Sequence, residues 1–164
     1  MAMQQLGNET TTIFVDGLDL VWERIFDAPR ELVWKALTEP ERIPRWWGPR
    51  GTTTTVVEMD VRPGGAWRYI NHSPDRPDVP FKGQYLEVVP PERLVYTFIV
   101  DIEPMNAETG GFETVVLEAL GGKTKLTSRS HFPSAEGLDG ALSTGMISGG
   151  IETWDRLEEE LARG

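Results

Sequence analysis

Two histidines, three tyrosines and a few carboxylates and arginines on alternating segments are the side chains in this sequence that could move a proton or orient a polar ligand group. His131 closes a strand-like segment. Turned inward it could serve as a general base, since imidazole titrates near neutral pH; a surface position at the strand end is the plainer reading. His72 stands with Asp75 and Asp78 in a set that could hold a cation, but the stretch is rich in proline and reads more simply as solvated loop. Glu58, Asp60, Arg68, Glu118 and Arg129 lie where alternation could turn one or two inward, and an inward charge would have to be paired or used on a ligand. The hydroxyls of Tyr69, Tyr85 and Tyr96 could do the same work.

No motif raises any of these to a catalytic set. The chain has no cysteine, hence no thiol nucleophile, thiolate metal site or disulfide framework. It lacks the Gly-x-Ser-x-Gly elbow, the phosphate-binding glycine loop and the dinucleotide fingerprint. The expectation is therefore no metal and no cofactor, with catalytic residues unassigned and an enzyme disfavoured.

Aromatic residues are a stronger signal. Trp22, Trp34 and Trp154 suit a core. Trp46 and Trp47 follow a short helical stretch, where they would either pack or form the mouth of a pocket. Trp67, Tyr69, Tyr85, Tyr96 and Phe98 lie on strands, and aromatics of this size are common in cores and in ligand pockets alike. In the last segment Gly145, Gly149 and Gly150 interrupt a helical pattern, where each should cost about 1 kcal/mol relative to alanine. A helix roofing a cavity is one reason to keep them, and close packing or a kink is another. The candidate ligand-contacting set is Trp46, Trp47, Trp67, Tyr69, Tyr85, Tyr96, Phe98, Met146 and Gly149.

These residues need elements to carry them. The 164 residues suit one domain spanning 1–164, with 1–12 as a loose tail. Ile13 to Ile25 reads as the first strand segment, with a turn at Asp16-Gly17. Pro29 suits the first turn of a helix capped by Asp27 or Ala28, and Glu41 to Trp46 reads as a second short helix. Period-two alternation then puts Thr55, Val57, Met59 and Val61 on one face. Strands follow at Trp67–Ile70, Phe81–Val89 and Leu94–Ile102, with a loop over Asn71–Pro80 and a long connection over Glu103–Gly111. Phe112–Leu120, Gly121-Gly122 and Lys123–Phe132 form a hairpin. Leu138, Leu142, Met146, Trp154, Leu157 and Leu161 recur at helical spacing along one long helix, with Arg156, Glu158, Glu159 and Glu160 on its opposite side. About seven strands followed by a covering helix indicate an α+β fold.

Several segments together resemble a known family: Asp27-Ala28-Pro29-Arg30-Glu31-Leu32-Val33-Trp34-Lys35-Ala36-Leu37-Thr38, Arg45-Trp46-Trp47-Gly48-Pro49, and Asp60-Val61-Arg62-Pro63-Gly64-Gly65-Ala66-Trp67. Gly83-Gln84-Tyr85, Pro90-Pro91-Glu92-Arg93-Leu94-Val95-Tyr96, and Gly145-Met146 through Asp155-Arg156-Leu157 continue the series. They are similar to the bacterial branch of proteins like the activator of the ninety-kDa heat-shock protein ATPase, within the START, birch-pollen-allergen and polyketide-cyclase (SRPBCC) superfamily. The resemblance runs from Val21 to Leu161. It implies a helix-grip fold, a curved antiparallel sheet around a long C-terminal helix, with a pocket between them. The functions it implies are diverse, because one fold hosts many.

Charge narrows the partners. Sixteen basic against 26 acidic residues give a formal net charge of −10, which argues against phosphate backbones and anionic membranes. No apolar run reaches the roughly 18 residues of a membrane span. The N-terminus lacks the features of a signal peptide, so a cytoplasmic protein is expected. The leading expectation is a binder of a small hydrophobic or aromatic molecule, acting as carrier, sensor or sequestering agent. A polyketide-cyclase-like or hydrolase-like enzyme using the same cavity is the alternative, and a co-chaperone-like interaction module comes third. A homodimer through a sheet edge or the long helix is compatible with the pattern, though no residue specifies it.

Overall fold

The computed structural model describes residues 6–103, 105 and 111–164. Nine strands among these form one antiparallel sheet: β1 (Thr12–Asp16), β2 (Asp19–Phe26), β3 (Thr53–Met59), β4 (Ala66–Ser73), β5 (Arg76–Val89), β6 (Arg93–Thr97), β7 (Ile99–Val100), β8 (Phe112–Leu120) and β9 (Lys123–His131). The order across it is β1-β2-β9-β8-β6-β5-β4-β3, with β7 paired to β5. The helices are α1 (Arg30–Thr38), α2 (Ala135–Leu142) and α3 (Met146–Arg163), with a 3-10 turn at Ile43–Arg45. The architecture is α+β, and α3 lies against the inner face of the sheet.

Alternation explains that face. Trp22 and Phe26 on β2, Val115 and Leu117 on β8, Leu126 on β9, Leu94 on β6, and Trp67 and Tyr69 on β4 are all buried. All but Trp22 meet Val33 and Ala36 of α1 and Leu157 and Leu161 of α3 in one cluster, while Trp22 joins a second with Ile13, Leu20 and Leu138. Each large side chain removed from water contributes roughly 1.5–3 kcal/mol.

Polar contacts fasten α3 in place. Arg24, whose side chain is 6% exposed, reaches Asp155 at 2.7 Å and Glu158 at 3.6 Å. Glu160, at 4% exposure, pairs with Arg45 at 3.2 Å and Arg163 at 3.6 Å. Arg156 donates to the carbonyls of Gly48 (2.9 Å) and Pro49 (3.2 Å). The side of α3 expected to face solvent is thus partly an anchoring surface.

Several boundaries differ from the sequence reading. Nine strands stand where about seven were expected: the two stretches of the first segment, around the expected turn, count separately as β1 and β2, and Leu94–Ile102 divides into β6 and β7 around Phe98. Asn71–Pro80 is mainly strand, with a turn at Pro74-Asp75. Pro77 and Pro80 are tolerated in β5 because β7 covers only Phe81 and Lys82 on its outer side, and proline survives where no ladder donor is needed. A bulge between Val56 and Glu58 breaks the period in β3, so Val57 is 54% exposed while Met59 stays on the core side. The expected second helix is only the 3-10 turn. Pro29 occupies the N-cap of α1 without a side-chain cap, and the Asp27 amide donates to Glu158 instead.

The expected single long helix breaks at Ser143–Gly145. Gly145 is the N-cap of α3 at φ 78°, a left-handed conformation that favours glycine. Of the expected tail, residues 1–5 lie outside the described residues, while the Leu6 amide donates to the Ile13 carbonyl and Asn8 accepts from the amides of Thr10 and Thr11. Most of the expected Glu103–Gly111 connection also lies outside them. No described helix is long and apolar enough to cross a membrane.

Candidate functional site

The inner strand face and α3 do not close on each other along their whole length. Near the N-terminal end of α3, Pro49 is the nearest neighbour a side chain at Gly149 would meet, at 3.6 Å. One residue further on the situation reverses. A β-carbon on Gly150 would stand 2.4 Å from Trp22 Cη2. Gly150 is therefore a close-packing glycine, Gly145 a turn glycine, and Gly149 alone of the three opens onto space with an ordinary helical backbone.

That space is a cavity of about 430 Å³ walled by Trp46, Trp47, Tyr96, Phe98, Met146 and Gly149, among others. A second cavity of about 430 Å³ lies towards α2, with Val100, Phe112 and Ala141 in its wall. The two meet at Phe81, Phe98, Glu113, Ser130, Thr144 and Met146, which line both. A third void, of only about 50 Å³, is enclosed by Trp67, Tyr69, Tyr85 and neighbours.

Six of the nine candidate residues thus come together around the larger space: Trp46, Trp47, Tyr96, Phe98, Met146 and Gly149. Trp67, Tyr69 and Tyr85 line only the small void, and their rings pack against other aromatic side chains. Trp67 lies 4.8 Å from Tyr69, 5.9 Å from Tyr96 and 5.7 Å from Phe98, and Tyr85 lies 6.2 Å from Tyr96. Trp46 is fixed by its indole N–H on the Ala36 carbonyl at 2.9 Å, whereas Trp47 stands edge-on to Tyr69 and Phe81. Trp46 is therefore mainly a core residue with one edge on the cavity.

The carboxyl group in this wall, Glu113, is one that sequence reasoning passed over. Glu113 lines both large cavities. Its Oε2 accepts from Tyr96 Oη at 2.7 Å and its Oε1 from Ser130 Oγ at 3.0 Å. Register places all three side by side, Tyr96 opposite Glu113 and Glu113 opposite Ser130. Burial pushes the Glu113 carboxyl above its ordinary range, and the two hydroxyls only partly offset this. Burial and the adjacent Glu113 raise Tyr96 well above the usual phenol value. The signal was available: Glu113, Val115 and Leu117 are in phase on β8, while Glu118 is not.

Most of the other titratable candidates are engaged by partners of their own. His131 borders the second cavity, but its ring stacks on Phe112 at 5.0 Å and its Nδ1 lies 2.6 Å from Asp19. It alternates with Ser128 and Ser130 along β9 and reaches the second cavity at the strand end, already paired with Asp19. Burial raises Asp19, yet its hydrogen bonds to Arg129 and His131 outweigh this and hold it below the usual carboxylate value. His72 pairs with Asp78 at 3.0 Å and Thr55 at 2.8 Å. Among the described residues no group of three or more His, Cys, Asp or Glu could hold a metal ion. Asp60 pairs with Arg62 and Arg68 with Asp101, while Glu58 and Glu118 are exposed. None of these lines the cavities.

Comparison with known proteins gives a consistent result. The family model described as Activator of Hsp90 ATPase homolog 1-like protein matches residues 27–162. A Rhodobacter sphaeroides protein of known structure superposes with a TM-score of 0.85 at 24% identity, covering 94% of this chain and 99% of that one. An Arthrobacter aurescens protein gives 0.84 at 25% identity, with 93% and 91% covered. A Silicibacter pomeroyi protein gives 0.73 at 20% identity, with 88% and 97% covered. No curated protein matches the sequence.

Proposed function

The chain belongs to the Activator of Hsp90 ATPase homolog 1-like family, and from that premise we propose that it binds a small, largely apolar ligand between the sheet and α3. The observation that carries this reading is the cavity of about 430 Å³ walled by Trp47, Phe81, Phe98 and Met146 and roofed where Gly149 lacks a side chain. Its size is in the range of small-molecule pockets, roughly 300–1,000 Å³. A carrier, sensor or sequestering role would need nothing more than this space.

A thermal-shift screen of neutral aromatic compounds tests the reading, paired with native mass spectrometry of the purified protein. A ligand at about 100 times its Kd adds about 2.7 kcal/mol to stability, and related compounds should raise Tm together. Gly149→Leu, whose side chain would project past Pro49 into the space, should abolish the shifts. Unchanged shifts in that variant, or indifference to the whole library, would remove the basis for the reading.

One observation favours a second reading. Glu113 is a carboxyl group inside the cavity, and a polyketide-cyclase-like or hydrolase-like catalyst could use it as a general acid or base. Turnover assays on whichever compounds bind would separate the two. Product formed by the wild type and lost in Glu113→Gln would support catalysis, and binding without product would support the carrier reading.

A further inference from the structure

Among the described residues the two buried charged side chains are both paired, and a half-buried one in the cavity wall is not. Arg24 is neutralised by Asp155 and Glu158, and Glu160 by Arg45 and Arg163. Glu113 has no cation among the described residues within ion-pair distance. Its two oxygens are held only by neutral hydroxyls, Tyr96 and Ser130. It is half-buried and lines both large cavities. Arg76, the arginine that lines the first cavity among the described residues, is engaged by the Asn71 amide oxygen and by the Pro77 carbonyl at 3.1 Å.

We propose that the ligand carries a basic nitrogen, protonated at neutral pH, which pairs with the Glu113 carboxylate while its apolar body lies against Phe81, Phe98 and Met146. The proposal rests on the ligand-binding reading above and names the chemical class that would fill the site. Three features of the geometry favour a cation. The carboxylate is pre-oriented by two donors, so little ordering is needed on binding. Each hydroxyl keeps lone pairs free to accept from an ammonium group. The wall is rich in aromatic rings, Tyr96, Phe81, Phe98 and Trp47 among them, and a cation that reaches a ring face is attracted where an anion is repelled. Burial already raises the Glu113 carboxyl above its usual range, so a counter-charge delivered by the ligand would relieve a standing penalty.

The test uses three probes of one shape on the intact protein: 1-naphthylmethylamine, 1-naphthylmethanol and 1-naphthoate, titrated calorimetrically at neutral pH. The amine should bind at least about tenfold more tightly than the alcohol, the scale of one charge-assisted hydrogen bond in a protein, and naphthoate should be the weakest. In Glu113→Gln the amine-to-alcohol affinity ratio should fall to near one. If that variant does not fold, the wild-type ratio decides the matter alone. Equal binding of amine and alcohol would overturn the proposal and leave the cavity reading intact. Preference for naphthoate would overturn it by showing that a protonated Glu113 acts as a donor. Failure of all three to bind would overturn both readings.

Discussion

Glu113, Tyr96 and Ser130 occupy adjacent positions on three neighbouring strands, and the chemistry of the site follows from how little surrounds them. With its folded-state value raised, Glu113 contributes stability that is fully present below the ordinary carboxylate value of about 4.3 and is lost as pH rises through the higher folded value. Glu113→Gln removes that titration. Its stability relative to wild type should therefore improve as pH rises from acidic to neutral, measured as urea unfolding free energy across the range. An offset that stays constant with pH would contradict this. The tyrosines give a second expectation. All three in the chain, Tyr69, Tyr85 and Tyr96, are shifted upward mainly by burial, Tyr85 to about 12 and the others well above the usual value. Tyrosinate absorbance should stay negligible at about pH 10, where free tyrosine is half ionised. Early ionisation in a still-folded protein would show that the aromatic cluster is open to water.

At the level of elements, α3 differs from the sequence reading in an instructive way. The helical spacing from Leu138 to Leu161 was readable, but the turn at Ser143–Gly145 was not, because both flanking helices keep the same apolar phase. The glycines separate by environment. Gly150→Ala should destabilise by about 1–3 kcal/mol through overpacking against Trp22. Gly145→Ala should lose about 1 kcal/mol by forcing a side chain into the left-handed conformation. Gly149→Ala should be neutral or slightly stabilising, because only Pro49 is near and alanine favours helix. Chemical denaturation of the three variants checks the ranking, and equal losses would mean that the roof of the cavity is packed. The β8–β9 hairpin was legible nearly to the residue, since Gly121-Gly122 fixes its turn and Leu120 pairs with Lys123. The β4–β5 hairpin was hidden by its prolines, and β3 by its bulge.

For the whole molecule, the fold was the legible part, because inward phase on each strand and the apolar stripe of α3 are both local patterns. The cavity was only half legible. Phase tells which side chains point inward; it does not tell which of them touch. Trp67, Tyr69 and Tyr85 are buried and border a void of only about 50 Å³. Phe81 and Ser130, which drew no notice as site residues, border the open space instead. The most direct measurement of the account's centre is an amide chemical-shift map of the protein titrated with a neutral naphthalene ligand. Shifts concentrated at Phe98, Glu113, Ser130, Met146 and Gly149 are predicted. Shifts confined to the exposed face of the sheet, around Ile25, Val116 and Leu120, would place the ligand outside the grip of sheet and helix and contradict it.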